Sequence, residues 1–479
     1  MQLKASFVVI GSGGAGLAAA VTASQRGIRN IVVLEKSNFL GGNSRMAGGD
    51  LHTVYREGGP DGKPSVDETF REAMAFHHYR MVDPAILRAF LEETSSSLEF
   101  LRGIGVPYTD TGVIGGRKYP FGDFYRAIKA MEKAFLKDES NKILRNTAAT
   151  RILTDENGAV CGVEGKNRDG EEVKIETPVA AITTGGFTGN SELLHQYFPD
   201  EYDDIFYTDA LPLQGDGIEL AKSAGAALAK RCTLVKENGY SCDSRLDAPN
   251  RGAHNPYTIW INTYGKRFQD ESHTMGDETT NALVKQPGMI GYAIFDGNIL
   301  SATAERPVMV TPGGEGDDSF PTNSEGEGQG PSVPDMRLSL EAEYKRGEGW
   351  VEKADTLEEL AGKLGIDPAV LAETVQTYNC YCAEGRDGLF AKEAKYLVPI
   401  EAGPYYALKF RPILIETQGP IVVNEHMEVL SPEHTPIPGL YAGGVCTSGC
   451  QGTDYHLRGA NLGYAIASGR IIGMQVAAI

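Results

Sequence analysis

Phe7-Val8-Val9-Ile10-Gly11-Ser12-Gly13-Gly14-Ala15-Gly16-Leu17 decides the fold of this chain. Four apolar residues in a row read as a short strand buried on both faces, as in a parallel sheet. The alanine-rich run from Leu17 to Arg26 reads as a helix stopped by Gly27, and a second apolar strand over residues 31–34 ends at Glu35. A Gly-x-Gly-x-x-Gly turn between strand and helix, with an acid closing the next strand, is the pattern of a dinucleotide site. Gly11 permits the tight turn, Gly13 lets backbone approach a pyrophosphate, and Gly16 lets helix and strand pack closely. The helix N-terminus then faces phosphate, and Glu35 accepts from ribose hydroxyls.

Working outward, Gly41-Gly42-Asn43-Ser44 forms a second glycine loop just past Glu35. Such a loop suits a large dinucleotide whose far end crosses the sheet. Residues 65–105 read as helical, with a start at Asp83-Pro84. Between 150 and 186 the pattern alternates, with turns at Glu156-Asn157-Gly158 and Arg168-Asp169-Gly170. This predicts a three-stranded meander that returns to the main sheet through residues 179–183. Thr183-Thr184-Gly185-Gly186-Phe187 closes it, and Gly439-Leu440-Tyr441-Ala442-Gly443-Gly444 follows near the C-terminus. Together these stretches point to FAD rather than to NAD. Residues 356–384 carry helical patterns, and 437–479 return to strand, glycine loop and helix. Residues 311–334, rich in Gly, Pro, Ser and acids, read as a long surface loop or mobile lid.

With 479 residues the chain exceeds what one core usually holds, so two domains are expected. A formal charge of −19 argues against nucleic acid or an anionic membrane as partner. No apolar stretch is long enough for a membrane span. Residues 1–6 carry no leader pattern, and the expected location is the cytoplasm. Seven cysteines are an odd number without framework spacing. Cys380-x-Cys382 and Cys446-x-x-x-Cys450 lack zinc or haem spacing, so no metal site is expected, while a redox role for Cys446 and Cys450 stays open.

Taken in order, these motifs resemble the flavoprotein family of fumarate reductase and succinate dehydrogenase. The likeness extends over Gly215-Asp216-Gly217-Ile218, Ile261-Asn262-x-x-Gly265-Lys266-Arg267-Phe268-x-Asp270-Glu271, Tyr292-x-Ile294-Phe295-Asp296 and residues 459–470. The resemblance implies an α/β fold: a Rossmann-type FAD-binding domain in two chain segments, 1–238 and 412–479, with an inserted α+β capping domain over 239–411. It implies FAD held by Gly11, Ser12, Gly13, Gly14, Ala15, Gly16, Glu35, Lys36, Gly41, Gly42, Asn43, Ser44, Gly48, Gly49, Thr184, Gly185, Gly186, Gly443, Gly444, Asn461 and Leu462. No histidine lies between Gly41 and Gly49, so the FAD is expected to be non-covalent.

The departures bear on substrate. Where fumarate reductases carry an Arg after the Arg-Phe-x-(Asn/Asp)-Glu motif, Ser272-His273-Thr274-Met275 follows Glu271. Where they carry a proton-donating Arg after Ile-Phe-Asp, Gly297-Asn298-Ile299-Leu300 stands. Their late His-Thr-Met-Gly-Gly reads Glu416-Thr417-Gln418-Gly419-Pro420. The fumarate-type site is therefore not expected. Tyr455-His456-Leu457-Arg458-Gly459 instead resembles the ketosteroid dehydrogenase pattern, in which Tyr hydroxyl and Gly N–H polarise a carbonyl. The candidate catalytic residues are Tyr455, Arg458, His456, Gly459 and Glu271, with His254 and Tyr257 as further pocket candidates. The expected activity is FAD-dependent hydride transfer between flavin N5 and an activated C–C bond, as ene-reductase or α,β-dehydrogenase on an unsaturated acid, ketone or steroid-like small molecule. The alternative is a flavoprotein subunit of an electron-transfer complex without substrate chemistry. The chain carries no haem or iron–sulfur motif. An external electron donor or acceptor, a diffusible carrier or a separate redox protein, is therefore expected.

Overall fold

The computed structural model describes residues 1–59, 64–110, 112–115, 122–200, 202, 207–208, 211, 213–239, 255–272, 277–305, 333–457 and 459–479. The apolar run Phe7–Ile10 forms the strand expected of it, and every one of its residues is buried. It lies inside a six-stranded sheet in the spatial order Glu428–Leu430, Pro436–Ala442, Ala180–Ile182, Phe7–Ile10, Ile31–Leu34, Lys142–Leu144. All neighbours are parallel except the outermost pair, Glu428–Leu430 with Pro436–Ala442. Val8 pairs with Val32 on one side and Ala180 on the other, so residues far apart in sequence fix the sheet centre.

The helix Gly14–Gln25 starts straight from the glycine turn and is buried from Gly14 to Ala23. Small residues suit it, because the C-terminal helix Ala460–Val476 lies directly against it. A Cβ at Gly469 would stand 2.2 Å from the Ala15 carbonyl oxygen, and one at Gly473 would stand 2.7 Å from that of Ala19. Two glycines four residues apart thus clear one face of the last helix for close backbone approach.

The meander forms as expected from Thr147–Thr154, Val160–Asn167 and Glu172–Glu176, all antiparallel. Its turns are closed by Asp155 and Asn167, whose side-chain oxygens each accept from two backbone N–H groups downstream. Gln2–Lys4 adds a parallel edge strand beside Glu172–Glu176, which the local pattern did not announce. The helical stretch expected over 65–105 is two helices. Val66–Phe76 opens on a Ser65–Glu68 capping box, and Pro84–Gly103 opens on Asp83, which accepts from Ala85 and Ile86 N–H. The break holds His78, Tyr79 and Met81 at positive φ, a conformation without glycine to advertise it.

The chain divides into two compact units: residues 1–202, 210–235 and 416–479, and residues 203–209 and 236–415. The second holds most of another six-stranded sheet, in which Ile259–Asn262, Gly291–Phe295 and Tyr405–Gln418 run antiparallel and Val351–Ala354 also pairs with Tyr405–Gln418. Helices Leu357–Leu364 and Pro368–Glu384 form where the pattern put them. Trp260, Phe295, Tyr378 and Phe410 fill its core. Of the loop expected over 311–334, residues up to 332 lie outside the described residues, and Val333 and Pro334 open the helix Val333–Arg346 instead. No helix among the described residues is long and apolar enough to cross a membrane.

Candidate active site

The glycine turn of the first unit is shaped by close approach. Gly11 sits at φ +104°, and a Cβ there would stand 2.5 Å from the Thr183 carbonyl oxygen. A Cβ at Gly16 would stand 1.9 Å from the carbonyl oxygen of Gly11, so only glycine lets the helix begin this near the strand. Gly13 is the N-cap of the helix and no side chain caps it. Gly14 N–H donates to Ser44 Oγ at 3.1 Å, and Gly41 N–H to the Ser12 carbonyl at 3.1 Å, which ties the second glycine loop to the first. Glu35 is buried: Oε2 accepts from Ser12 N at 3.1 Å and Ser12 Oγ at 2.5 Å, while Oε1 accepts from Ser37 N at 2.8 Å. Ser12 therefore holds Glu35 at the mouth of the turn. Lys36, by contrast, reaches Asp216 at 2.5 Å on the half-exposed surface.

The stretches at 183–184 and 443–444 approach the same turn and helix start. Gly444 N–H donates to Ser468 Oγ at 2.9 Å, and a Cβ at Gly444 would stand 3.1 Å from that of Ala15. Gly443 N–H donates to the Ile182 carbonyl at 3.0 Å, continuing the strand order. Gly49 accepts the Tyr108 hydroxyl at 2.8 Å beside half-buried Gly48. Leu462 is buried in the last helix. Thr184 Oγ1 is buried with no hydrogen-bond partner among the described residues. An uncapped helix N-terminus, glycines that clear the backbone and an orphaned hydroxyl fit a dinucleotide laid over this surface. FAD would be held by the turn at residues 11–16, the loop at 41–44 and the stretch at 184–186.

Next to that stretch lies a group that the motif reading passed over. Glu416 is buried, takes Asn43 Nδ2–H on Oε2 at 3.1 Å and Thr417 N–H on Oε1 at 3.1 Å, and burial pushes its carboxyl up to about 7. Its sequence signal was visible only as a departure from the family motif. Gln418 and Gln451 both donate their amide Nε2 to Asn461 Oδ1, the second at 3.1 Å. Cys446 is buried and pushed up to about 12, and Cys450 is raised as well, both by desolvation. Both are therefore neutral thiols, poor nucleophiles at physiological pH.

The loop before the last helix holds the remaining candidates. Tyr455 is half-buried, and its hydroxyl accepts Ala460 N–H at 3.1 Å. Gly459 caps that helix at φ +72°, where a Cβ would meet Asp50 and His52 backbone at 2.8 Å. His456 stacks on Phe76 with centroids 4.0 Å apart, and its Nε2 lies 3.7 Å from Glu72. Packed beside it, His77 is pushed down to about 4, chiefly by burial. Arg458 and His254 lie outside the described residues.

Glu271 belongs to the second unit and is fully buried there. Arg267 grips it with Nε at 2.9 Å and Nη2 at 2.7 Å and also reaches Asp387 at 2.8 Å. Lys392 lies 3.5 Å from Glu271, and Trp260 N–H donates to it at 2.9 Å. Tyr257 is buried and packs edge-on against Tyr396.

Residues 6–462 match the family described as FAD binding domain. The chain belongs to the FAD-dependent fumarate reductase and succinate dehydrogenase flavoprotein family. Within this flavoprotein family, the urocanate reductase of Eggerthella lenta is 30% identical over 98% of this chain and 74% of that protein. The vinyl phenol reductase of Lactiplantibacillus plantarum is 27% identical over 98% of this chain and 96% of that protein. Among solved structures, an open flavocytochrome c3 fumarate reductase superposes with a TM-score of 0.73 at 24% identity, covering 99% of this chain and 78% of that one. A 3-ketosteroid dehydrogenase from Rhodococcus jostii, solved with 4-androstene-3,17-dione, gives 0.74 at 23% identity, covering 99% and 97%. These two likenesses establish the fold. This flavoprotein is an FAD-dependent oxidoreductase.

Proposed function

We propose that this flavoprotein reduces, or in the reverse direction forms, a C=C bond conjugated to a carbonyl, carboxyl or aromatic ring in a small molecule. The reading is carried by the glycine turn with Glu35 fixed to Ser12, in a chain alike over its whole length to reductases of unsaturated compounds. Bound FAD, held non-covalently, supplies the hydride acceptor or donor at flavin N5. The residues of this chain bind it, polarise the substrate and handle the proton. Residues 1–238 and 412–479 act as the FAD domain, and residues 239–411 as the capping domain.

Within the loop at 455–459, the Tyr455 hydroxyl and Gly459 N–H are assigned to the substrate's electron-withdrawing group, and Arg458 to an anionic or carbonyl oxygen. Tyr455 already touches a helix N-terminus, a setting that favours negative charge on its oxygen and so a ready proton donor. Glu271 is assigned to the cap framework, since its carboxylate is engaged by Arg267, Lys392 and Trp260. Electrons come from, or go to, a diffusible carrier or a separate redox protein.

The test is anaerobic. Purified flavoprotein is reduced with dithionite, then mixed with a panel of unsaturated acids, enones, vinyl phenols and ketosteroids while flavin absorbance is followed. Reoxidation by a conjugated alkene, with the saturated product recovered in equal amount, is expected. Flavin that ignores the whole panel, reduced with the unsaturated compounds and oxidised with their saturated counterparts, overturns the reading.

A further inference from the structure

Glu416 follows the last second-unit residue, Ile415, on the strand Tyr405–Gln418, and its side chain is buried within the first unit. Its surroundings are fixed from two sides. Asn43 presents its Nδ2 to Oε2 and cannot turn its carbonyl there, because Oδ1 is occupied by Leu211 N–H at 2.8 Å. On the other side a Cβ at Gly186 would stand 2.6 Å from Glu416 Oε1. The bare backbone at 186 is what lets the carboxyl come up to the Thr184–Gly186 stretch. Phe187 N–H donates to Thr417 Oγ1 at 2.8 Å and holds the same turn in place. Among the described residues no charged side chain bears on the carboxyl. Desolvation raises its pKa, and only the Asn43 and Thr417 hydrogen bonds oppose that.

Both hydrogen bonds reaching Glu416 come from donors, Asn43 Nδ2–H and Thr417 N–H. A protonated carboxyl here therefore retains an O–H without a protein acceptor among the described residues. The two segments that wall it, at 41–44 and 184–186, are the ones assigned to FAD. We propose that Glu416 is a cofactor-binding acid: a neutral carboxyl group whose O–H donates a hydrogen bond to an acceptor atom of the bound FAD. This rests on the FAD reading. It separates Glu416 from the histidine that the family motif carries at this point, since a buried neutral acid offers no charge to an anionic substrate.

Linkage makes the proposal measurable. If FAD binds only the protonated form, its dissociation constant is flat at low pH and rises about tenfold per pH unit once the free protein's Glu416 ionises. FAD binding is followed by quenching of flavin fluorescence between pH 6 and 9, using apoprotein and added FAD. The wild type is expected to weaken steadily above about pH 7. Glu416→Gln, which keeps a neutral donor, is expected to bind within about threefold of wild type at pH 6 and to stay flat to pH 9. Glu416→Leu, neutral but without a donor, is expected to bind about tenfold more weakly at pH 6, the scale of one lost buried hydrogen bond.

A flat wild-type profile overturns the proposal. So does Glu416→Leu binding as tightly as Glu416→Gln. Should the variants not fold, difference infrared of the wild type at pH 8 decides: the carbonyl stretch of a protonated carboxylic acid is expected in the holoprotein and lost on FAD release, and its absence overturns the proposal. Wild-type protein that takes up no FAD at any pH fails the underlying FAD reading instead, an outcome distinct from FAD bound with a pH-independent constant.

Discussion

The two compact units each bury a glutamate, and they treat it in opposite ways. In the second unit Glu271 sits at the centre of Arg267, Lys392 and the Trp260 N–H, with Asp387 completing the set. Two cations offset two carboxylates, and Arg267 lies within 5.2 Å of the Tyr378 and Phe390 ring centroids. In the first unit Glu416 has, among the described residues, two neutral donors and no cation, and burial pushes its carboxyl up to about 7. Close by, Thr184 Oγ1 has no partner among the described residues. Buried polar groups satisfied by one another hold a fold, whereas buried polar groups left short of partners anticipate a ligand.

The largest effect is expected at the cofactor turn. Gly16→Ala places a methyl group 1.9 Å from the Gly11 carbonyl oxygen, where backbone cannot yield without parting helix and strand. Loss of about 3 kcal/mol or more and of bound flavin is expected. Flavin absorbance per protein and the urea midpoint report it. A yellow variant of normal stability would mean that the turn is not the anchor of the first unit.

The buried network of the second unit comes next. Arg267→Met leaves Glu271 and Asp387 buried without their shared guanidinium, at a cost of about 3–5 kcal/mol. Chemical unfolding followed by tryptophan fluorescence measures it, since Trp260 lies in that core. A cost under about 1 kcal/mol would remove the distinction between the two glutamates.

Glu416→Gln should do the reverse at high pH. The wild-type carboxyl binds its proton more tightly folded, at about 7, than unfolded, at the usual 4.5. Its stabilising contribution is thus complete below about 4.5 and is lost as pH rises through about 7. The variant, which cannot ionise, is expected to match the apoprotein at pH 4 and to exceed it by on the order of 3 kcal/mol at pH 8. Parallel stability curves across that range would show that burial leaves the Glu416 carboxyl at its unfolded pKa.

Much of this was legible in the chain. The strand Phe7–Ile10, the glycine turn, Glu35, the meander and the two helices at 357–384 follow from local periodicity and turn chemistry, which are short-range properties. The Glu271 network escaped because Asp387 and Lys392 come from more than a hundred residues away. Glu416 escaped because its character comes from what surrounds it: Asn43 and Gly186 reach it only after the sheet has assembled. The break at 77–83 escaped because His78, Tyr79 and Met81 adopt positive φ without the glycine that usually marks it.

Tyr455→Phe probes the rim of the cofactor unit with a smaller change. It removes the hydroxyl that accepts Ala460 N–H, worth about 1 kcal/mol of stability. Flavin should remain bound, and reoxidation by substrate should slow about a hundredfold if the same oxygen serves the proton. Unchanged turnover with the stability loss intact would leave Tyr455 as a helix cap and move the chemistry elsewhere in the loop.

The smallest effect is expected at Lys36, and it divides two roles for one side chain. Lys36 pairs with Asp216 at 2.5 Å, with both side chains 40% exposed. A pair that open gains little from Coulomb attraction, because water screens it and two side chains must be held still. As an ion pair alone, Lys36→Met and Asp216→Asn should each shift stability by less than about 0.5 kcal/mol, and salt should erase the shift. Lys36 also follows Glu35 directly, which places it at the edge of the cofactor turn. If it leaves Asp216 to meet FAD, Lys36→Met should weaken FAD binding several-fold while Asp216→Asn strengthens it, by freeing the lysine. Titrating both apoproteins with FAD at low and high salt separates the cases. Equal FAD affinities in the two variants and the wild type would assign Lys36 to the surface and leave Ser12, Glu35 and the glycine backbone to hold that end of the cofactor.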